Sequence, residues 1–173
     1  MPTRTNTTHA TLLTGVHPDA HGIVGNDYWS RSPSAPPTRL DAPELLEVET
    51  LFTVAETRSP RLVTMAAFGK PKLARLFADS PRRQHAPDEL WSPALAGSVR
   101  RDPITGYSAD ADTMEAVVEL MARAEPDLAV INIADVDRTA HGAGPDHPAV
   151  VRAIEGAGAA IGRLVAYLQE SGR

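Results

Sequence analysis

The fold is decided by residues 128–141, which read LAVINIADVDRTAH. The first six residues form a nearly continuous apolar run, as in a parallel β-strand that is buried on both faces. Polar residues follow at once, and in open α/β sheets the ends of the strands carry the ligand chemistry. The segment therefore predicts a buried strand over 128–133, followed by a polar loop that carries a functional site.

The remainder of the chain alternates helices and strands around this segment. A second apolar run predicts a strand over 61–68, and apolar residues at three- and four-residue spacing favour helices at 10–14, 45–58, 72–77, 112–124 and from Pro148 to the end. This order predicts the α/β class, with a partial doubly wound, mostly parallel sheet and flanking helices. Because two strands are too few for such a sheet, we expect it to be incomplete at both ends.

The length of 173 residues is that of one domain. We predict a single partial domain over 1–173, in which the proline-containing stretches 30–43 and 79–109 are surface loops or an insertion. No internal repeat of the kind that builds solenoids is present.

Composition excludes several classes of function. The net charge of −5 disfavours binding to duplex nucleic acid through a basic face. No apolar run is long enough to span a membrane. With no cysteine in the chain, any metal must be held by His, Asp or Glu. The first residues show no export signal, and localisation stays unknown.

The segment after the second strand holds an acid–imidazole pair. Asp137 and His141 are four residues apart, so on a helical turn or tight loop both could bind one cation such as zinc. The alternative is a solvated turn in which the aspartate caps a helix and the histidine is exposed. Asp135 would not bind the metal itself but would orient the histidine that does.

Near the front of the chain, hydroxyl groups cluster in the stretch from Pro2 to His9, which meets the start of a helix. A helix N-terminus suits a phosphate group, because its backbone N–H groups are unpaired. The alternative is ordinary capping by threonine. A nucleophilic threonine would need activation, for which a metal is favoured over a base.

Three further residues have both a functional and a plain interpretation. His21 lies four residues after His17, but the intervening Pro18 favours a turn over a metal site. Asn26 follows a glycine-bounded stretch, where its amide could donate to an anion or simply form a turn. Lys70 follows the strand at 61–68 and lies either near the site or in a solvated loop.

Taken in order, these motifs resemble the type I phosphodiesterase and nucleotide pyrophosphatase family of the alkaline phosphatase superfamily. The matching stretches are Pro2-Thr-Arg-Thr5 with His9 and Thr14-Gly15, Pro18-x-x-His21-Gly22-Ile23 with Asn26, and Asp137-x-x-x-His141-x-x-Gly144-Pro145. Agreement of three ordered motifs is more specific than any one of them.

The resemblance implies an alkaline-phosphatase-like fold and a hydrolase of phosphodiesters or phosphoanhydrides. It implies that Thr5 is a metal-bound nucleophile that forms a covalent phospho-threonine, and that Asn26 donates a hydrogen bond to a phosphoryl oxygen. It further implies two divalent metal ions, zinc in the family pattern, with Asp137 and His141 in one of the two sites. The implied partner is a small phosphate-ester substrate.

The sequence departs from the family pattern in three ways, two of which concern metal ligands. Thr8 replaces the asparagine that usually precedes the motif histidine, and the family's first Asp ligand, its later Asp-His pair and its last His are absent. The resemblance therefore predicts that the isolated chain is an inactive internal portion, associating through exposed sheet edges. The alternatives are a phosphonoacetate hydrolase-like enzyme that cleaves a C–P bond, and a catalytically dead fragment that binds a metal or a partner.

Overall fold

The structure is a computed structural model that describes residues 3–31, 34–82, 84, 86–97 and 99–172. Pro2 of the first motif therefore lies outside the described residues. The helices are α1 (Thr5–Thr14), α2 (Pro18–His21), α3 (Leu51–Arg58), α4 (Pro71–Leu76), α5 (Asp110–Ala124), α6 (Asp135–Ala143) and α7 (Pro148–Glu170), with a short 3-10 helix at Pro43–Leu45. The strands are β1 (Asp27–Tyr28), β2 (Thr38–Arg39), β3 (Thr64–Phe68), β4 (Glu89–Trp91) and β5 (Leu128–Asn132).

The predicted α/β class with a parallel sheet and flanking helices is confirmed. In the described part of the chain, β4, β3 and β5 form a three-stranded parallel sheet in the order β4-β3-β5. Strands β1 and β2 form a separate two-stranded antiparallel ribbon. All five residues of β3 are buried, which agrees with its apolar sequence.

The chain divides into two compact units, the first comprising residues 1–65 and 72–90 and the second residues 66–71 and 91–173. In the first unit, α1 ends at Gly15, which has a φ of 71°. Gly22 ends α2 with a φ of 82°, and a Cβ there would lie 2.9 Å from the Leu45 carbonyl oxygen. Only glycine tolerates both the left-handed backbone and this close approach.

The second unit contains β5 and the polar segment after it, where the sequence predicts a functional site. Its α5 buries one apolar face (Met114, Val117, Leu120 and Met121), and α7 packs against both α5 and α6. The Gly69 N–H donates a hydrogen bond to the Asn132 carbonyl at 2.8 Å. The residues that follow β3 and those that follow β5 therefore lie beside each other.

Four sequence predictions about local structure are wrong. The polar loop expected after residue 133 is α6, and the irregular stretch 79–109 contains β4. The helix expected over 45–58 begins only at Leu51, because Thr50 caps it by accepting a hydrogen bond from the Thr53 N–H at 3.3 Å. The turn expected at Pro18 is the short helix α2, and the proline occupies its first turn, where no N–H partner is required.

Two further boundaries differ from the predictions. Helix α1 begins at Thr5 rather than at residue 10, so most of the hydroxyl cluster lies within its first turn. The predicted loop 30–43 contains β2 and the start of the 3-10 helix, and Ser32 and Pro33 of that stretch lie outside the described residues.

Candidate active site

In the first unit, the structure places Thr5 and Asn26 at the same end of α1. Thr5 is the first residue of the helix, and the Asn26 Oδ1 accepts a hydrogen bond from the Asn6 N–H at 3.0 Å. The N-cap residue is Arg4, whose side chain makes no capping hydrogen bond. The N-terminus of α1 is therefore not capped by a threonine. It is capped by Asn26, which lies twenty residues after Asn6 in the sequence.

This hydrogen bond also fixes the orientation of the Asn26 amide. With Oδ1 accepting from the helix, the amide's other polar atom is the Nδ2 donor, which is the atom an oxyanion requires. The Asn26 carbonyl accepts from the Leu40 N–H at 2.9 Å, and the Leu40 carbonyl accepts from Asn6 Nδ2 at 2.8 Å. These bonds close a ring of contacts among three chain segments.

Asn6 is a member of this ring that sequence reasoning missed. Its side chain is 1% exposed. The only sequence signal is its position directly after Thr5, because a buried asparagine in the first helical turn cannot be distinguished by pattern from a solvated one.

Two histidines of the first unit have structural partners. The His9 Nδ1 lies 2.8 Å from the Thr5 carbonyl oxygen, which can only accept, so Nδ1 carries the proton. The fully buried His21 accepts from the Ile23 N–H through Nδ1 at 3.1 Å, and its Nε2 lies 3.0 Å from Thr11 Oγ1. Burial lowers the pKa of His21. Both His21 nitrogens are thus in use, which agrees with the sequence interpretation against a metal site there.

In the second unit, Asp137 and His141 lie one turn apart on α6. The Asp137 Oδ1 and the His141 Nε2 are 3.6 Å apart, and the side chains are 43% and 84% exposed. A carboxylate oxygen and an imidazole nitrogen are donors that zinc accepts. Among the described residues, no group of three or more His, Asp or Glu side chains could hold a metal ion. The pair therefore fits two positions of a coordination shell that needs further donors.

Lys70 is not the solvated loop lysine of the plain interpretation. Its side chain is only 4% exposed, and Nζ donates to the Asp137 Oδ2 at 2.7 Å. Nζ also lies 5.5 Å from the centre of the Tyr107 ring, a cation–π distance. Burial, followed by the Asp137 charge, raises the pKa of Tyr107. Lys70 thus holds one Asp137 oxygen while the other faces His141.

The expected role of Asp135 is wrong. Its carboxylate does not contact His141; Oδ1 accepts from Arg138 at 2.5 Å and Oδ2 accepts from the Asp110 N–H at 2.9 Å. In return, the Asp110 Oδ1 accepts from the N–H groups of Ala134 and Asp135 at 2.6 and 2.9 Å. The two aspartates thus join the first residues of α5 and α6 reciprocally.

The fold belongs to the α/β class, and similar solved structures share it. Murine ectonucleotide pyrophosphatase/phosphodiesterase 5 is 20% identical with a TM-score of 0.67, and the match covers 98% of this chain and 42% of that one. Phosphonoacetate hydrolase from Sinorhizobium meliloti, in complex with phosphonoformate, is 18% identical with a TM-score of 0.64, covering 96% and 43%. At such identities the likeness shows the fold.

The sequence model of the type I phosphodiesterase / nucleotide pyrophosphatase family matches residues 1–173, and the chain belongs to that family. A search of curated protein sequences gave no match. The chain spans 41–43% of the length of the solved chains that it resembles. No helix in the described ranges has both the length and the apolar character to cross a bilayer.

Proposed function

We propose that the chain carries the nucleophile and one ligand pair of a metal-dependent hydrolase of phosphodiesters or phosphoanhydrides. The observation that carries the proposal is the arrangement at α1, where Thr5 begins the helix and the Asn26 amide is fixed beside it. A hydroxyl at a helix N-terminus and an oriented amide donor suit an attack on phosphorus.

In the proposed reaction, the Thr5 Oγ gives its proton to solvent water and attacks the phosphorus. A new Oγ–P bond forms, the bond from phosphorus to the leaving oxygen breaks, and the leaving group departs with that electron pair. The Asn26 Nδ2 donates to a phosphoryl oxygen as negative charge develops. Water then hydrolyses the phospho-threonine and restores the hydroxyl.

Two divalent metal ions, zinc in the family pattern, would act as Lewis acids in this chemistry when bound. Asp137 and His141 would hold one of them, Asp137 through the oxygen that faces the imidazole. We infer that the remaining ligands come from polypeptide outside residues 1–173.

Two solved neighbours support the phosphoryl chemistry. An inactive variant of murine ectonucleotide pyrophosphatase/phosphodiesterase 5, in which a threonine is replaced by alanine, was solved in complex with AMP. The Sinorhizobium meliloti phosphonoacetate hydrolase is equally similar in fold and was solved with phosphonoacetate. A hydrolase that cleaves a C–P bond is therefore the second candidate.

The test compares residues 1–173 with a polypeptide extended at both ends to include the remaining family ligands. With zinc, we expect the extended polypeptide to hydrolyse bis-p-nitrophenyl phosphate and the 173-residue chain not to do so. Thr5→Ala should abolish turnover, whereas Thr5→Ser, which keeps a hydroxyl, should retain part of it. Release of phosphate from phosphonoacetate without diester hydrolysis would favour the second candidate. No turnover of either substrate would leave the catalytically dead fragment.

A further inference from the structure

Lys70 is a buried cation that lies against one of the two candidate metal ligands. Its side chain is 4% exposed, and Nζ donates to the Asp137 Oδ2 at 2.7 Å. We propose that Lys70 is an internal counter-ion of Asp137, which balances this carboxylate in the metal-free chain and restrains the affinity of the Asp137–His141 pair for zinc. The inference rests on the proposed function and concerns the control of metal binding at that site.

The backbone next to Lys70 is held in place by two neighbouring segments. The Gly69 N–H donates to the Asn132 carbonyl at 2.8 Å, and the Gly69 carbonyl accepts from the Ser108 N–H at 3.2 Å. A Cβ at residue 69 would lie 3.1 Å from the Asn132 carbonyl oxygen, so glycine permits this close approach. The Lys70 side chain therefore starts from a backbone that is fixed between the end of β5 and the segment before α5.

The Lys70 side chain is also confined at its charged end. Lysine side chains usually extend this end into water, whereas the Lys70 Nζ lies against Asp137 and 5.5 Å from the centre of the Tyr107 ring. A buried ammonium without a counter-ion is costly. We therefore expect Lys70 to stay on Asp137 when a metal ion binds nearby.

The two Asp137 oxygens have different neighbours. Oδ2 accepts from Lys70, and Oδ1 lies 3.6 Å from the His141 Nε2. The next residue of α6, Arg138, is engaged elsewhere, because it pairs with two other aspartates. A zinc ion held by Oδ1 and the imidazole would therefore share the Asp137 carboxylate with the Lys70 ammonium, and the two positive charges would repel each other.

Lys70 has two opposing effects on metal binding. A hydrogen bond that orients a metal ligand favours binding, and losing it typically costs about 10- to 100-fold in affinity. Asp137 and His141, however, lie one turn apart on α6, so the helix itself sets the spacing of the two ligands. We therefore expect the repulsion between Lys70 and the metal ion to outweigh the gain in orientation.

This arrangement separates folding from metal binding. The Lys70 ammonium balances Asp137 before a metal ion arrives, so α6 keeps this ligand in place without one. The same charge weakens binding by the pair alone, so zinc is retained firmly only when further donors offset the repulsion.

The test is a zinc titration of the 173-residue chain at one fixed pH, followed by nuclear magnetic resonance of the His141 imidazole. His141→Asn identifies that signal by removing it. Lys70→Met removes the charge, and Lys70→Gln removes the charge but keeps a hydrogen-bond donor. Both variants should bind zinc at the imidazole at least about tenfold more tightly than the unsubstituted chain, because the repulsion is lost.

The matched control is Arg152→Met, which removes one positive charge from an exposed position of α7. It should bind zinc as the unsubstituted chain does. Circular dichroism identifies the variants that fold, and either neutral variant of Lys70 is sufficient for the comparison.

Weaker zinc binding by Lys70→Met, with partial recovery in Lys70→Gln, would overturn the inference, because Lys70 would then only orient Asp137. Equal affinity of the neutral variants and the unsubstituted chain would overturn it too, and so would the absence of zinc binding at His141 in all of them. Equal tightening by Arg152→Met would show a general effect of charge and would likewise count against it. The titration involves no turnover. Failure of the proposed function would instead appear as an extended polypeptide that hydrolyses neither phosphate nor phosphonate substrates.

Discussion

The Asn26 side chain caps α1 through its Oδ1 atom, and in the proposed reaction it donates to the substrate through its Nδ2 atom. Its Oδ1 accepts the Asn6 N–H at 3.0 Å, and its Nδ2 is the donor that the proposed reaction requires. The two roles can be separated by substitution, because aspartate keeps an acceptor oxygen and loses the donor. A single position can thus distinguish a structural contribution from a catalytic one.

We predict that Asn26→Ala lowers the free energy of unfolding by about 1 kcal/mol, the usual cost of losing a helix cap. Asn26→Asp should leave stability nearly unchanged, since a carboxylate at a helix N-terminus is favourable. In the active extended polypeptide, Asn26→Asp should still reduce kcat about 100-fold through loss of the oxyanion donor. Urea titration and steady-state kinetics check the two parts. Equal activity of Asn26→Asp and the unsubstituted enzyme would limit Asn26 to capping.

The Lys70–Asp137 pair is asymmetric, because the lysine is 4% exposed and the aspartate 43%. Removing Asp137 leaves a buried ammonium with its charge uncompensated, whereas removing the lysine charge leaves a carboxylate that water can reach. We predict that Asp137→Ala lowers the unfolding free energy by about 2 kcal/mol. Lys70→Met should lower it by less.

Thermal and chemical unfolding of both variants, and of the double variant, measures this asymmetry. The control is His141→Asn, which should change stability little, since that side chain is 84% exposed. If Lys70→Met were the more damaging substitution, the packing of the lysine and not its charge would dominate.

At the scale of elements, the reciprocal contacts between Asp110 and Asp135 fix where α6 begins. One Asp110 oxygen accepts two consecutive N–H groups, those of Ala134 and Asp135. Helix α6 carries both Asp137 and His141, so its first turn sets their direction. Desolvation raises the pKa of Asp110, which means that the folded state binds a proton there more tightly than the unfolded chain does.

We therefore predict that Asp110→Ala lowers the unfolding free energy by about 1–2 kcal/mol, through loss of this cap. Asp110→Asn should be milder, since its oxygen still accepts. A raised carboxyl pKa contributes stability that is fully present below the ordinary pKa and is lost as the pH rises through the raised value. The Asp110→Asn variant does not titrate at this position, so its stability relative to the native chain should increase as the pH rises from the ordinary carboxyl pKa of about 4 through the raised pKa of Asp110. Melting curves across that range would contradict the prediction if the difference were constant.

At the scale of the molecule, the second unit exposes apolar surface on α7. Val151, Ile154, Ile161 and Val165 are 45–57% exposed and follow the three- and four-residue spacing of one helix face. Strand β5 is only half-buried along its whole length and is an outer strand of the described three-stranded sheet. Such surfaces recruit partners, and association of the chain stays a prediction.

We predict that the 173-residue chain self-associates as its concentration rises. Ile154→Glu with Val165→Glu should reduce association, because a charge on a buried contact face is costly. Sedimentation velocity over a range of concentrations measures the effect, and Arg152→Glu, beside the apolar face, is the control for added negative charge. A chain that is monomeric at every concentration would refute the prediction.

Prediction from sequence succeeded where the signal is local and failed where it is not. The apolar run at 128–132 predicts a strand, and the structure confirms it. The i, i+4 spacing of Asp137 and His141 predicts that they are neighbours, and their Oδ1 and Nε2 atoms are 3.6 Å apart. Strand β4, however, has only three residues and no clear apolar alternation, so its sequence gives no strand signal. It forms a strand through its pairing with β3, which is not a property of consecutive residues. Helix α6 was missed because its polar residues outnumber its apolar ones, although Val136, Ala140 and Ala143 follow helical spacing.

The sequence by itself determined the α/β class, the order of the motifs and the family, since apolar periodicity and motif spacing are properties of consecutive residues. Only the tertiary structure decided that Asn26 caps α1, that Lys70 is buried against Asp137, and that Asp135 pairs with Asp110 and Arg138 rather than with a histidine. These partners are 3 to 67 residues apart along the chain. A polar group that the fold buries must find a hydrogen-bond partner, and the fold decides which groups are close enough to serve. A pattern of neighbouring residues carries no information about these partners.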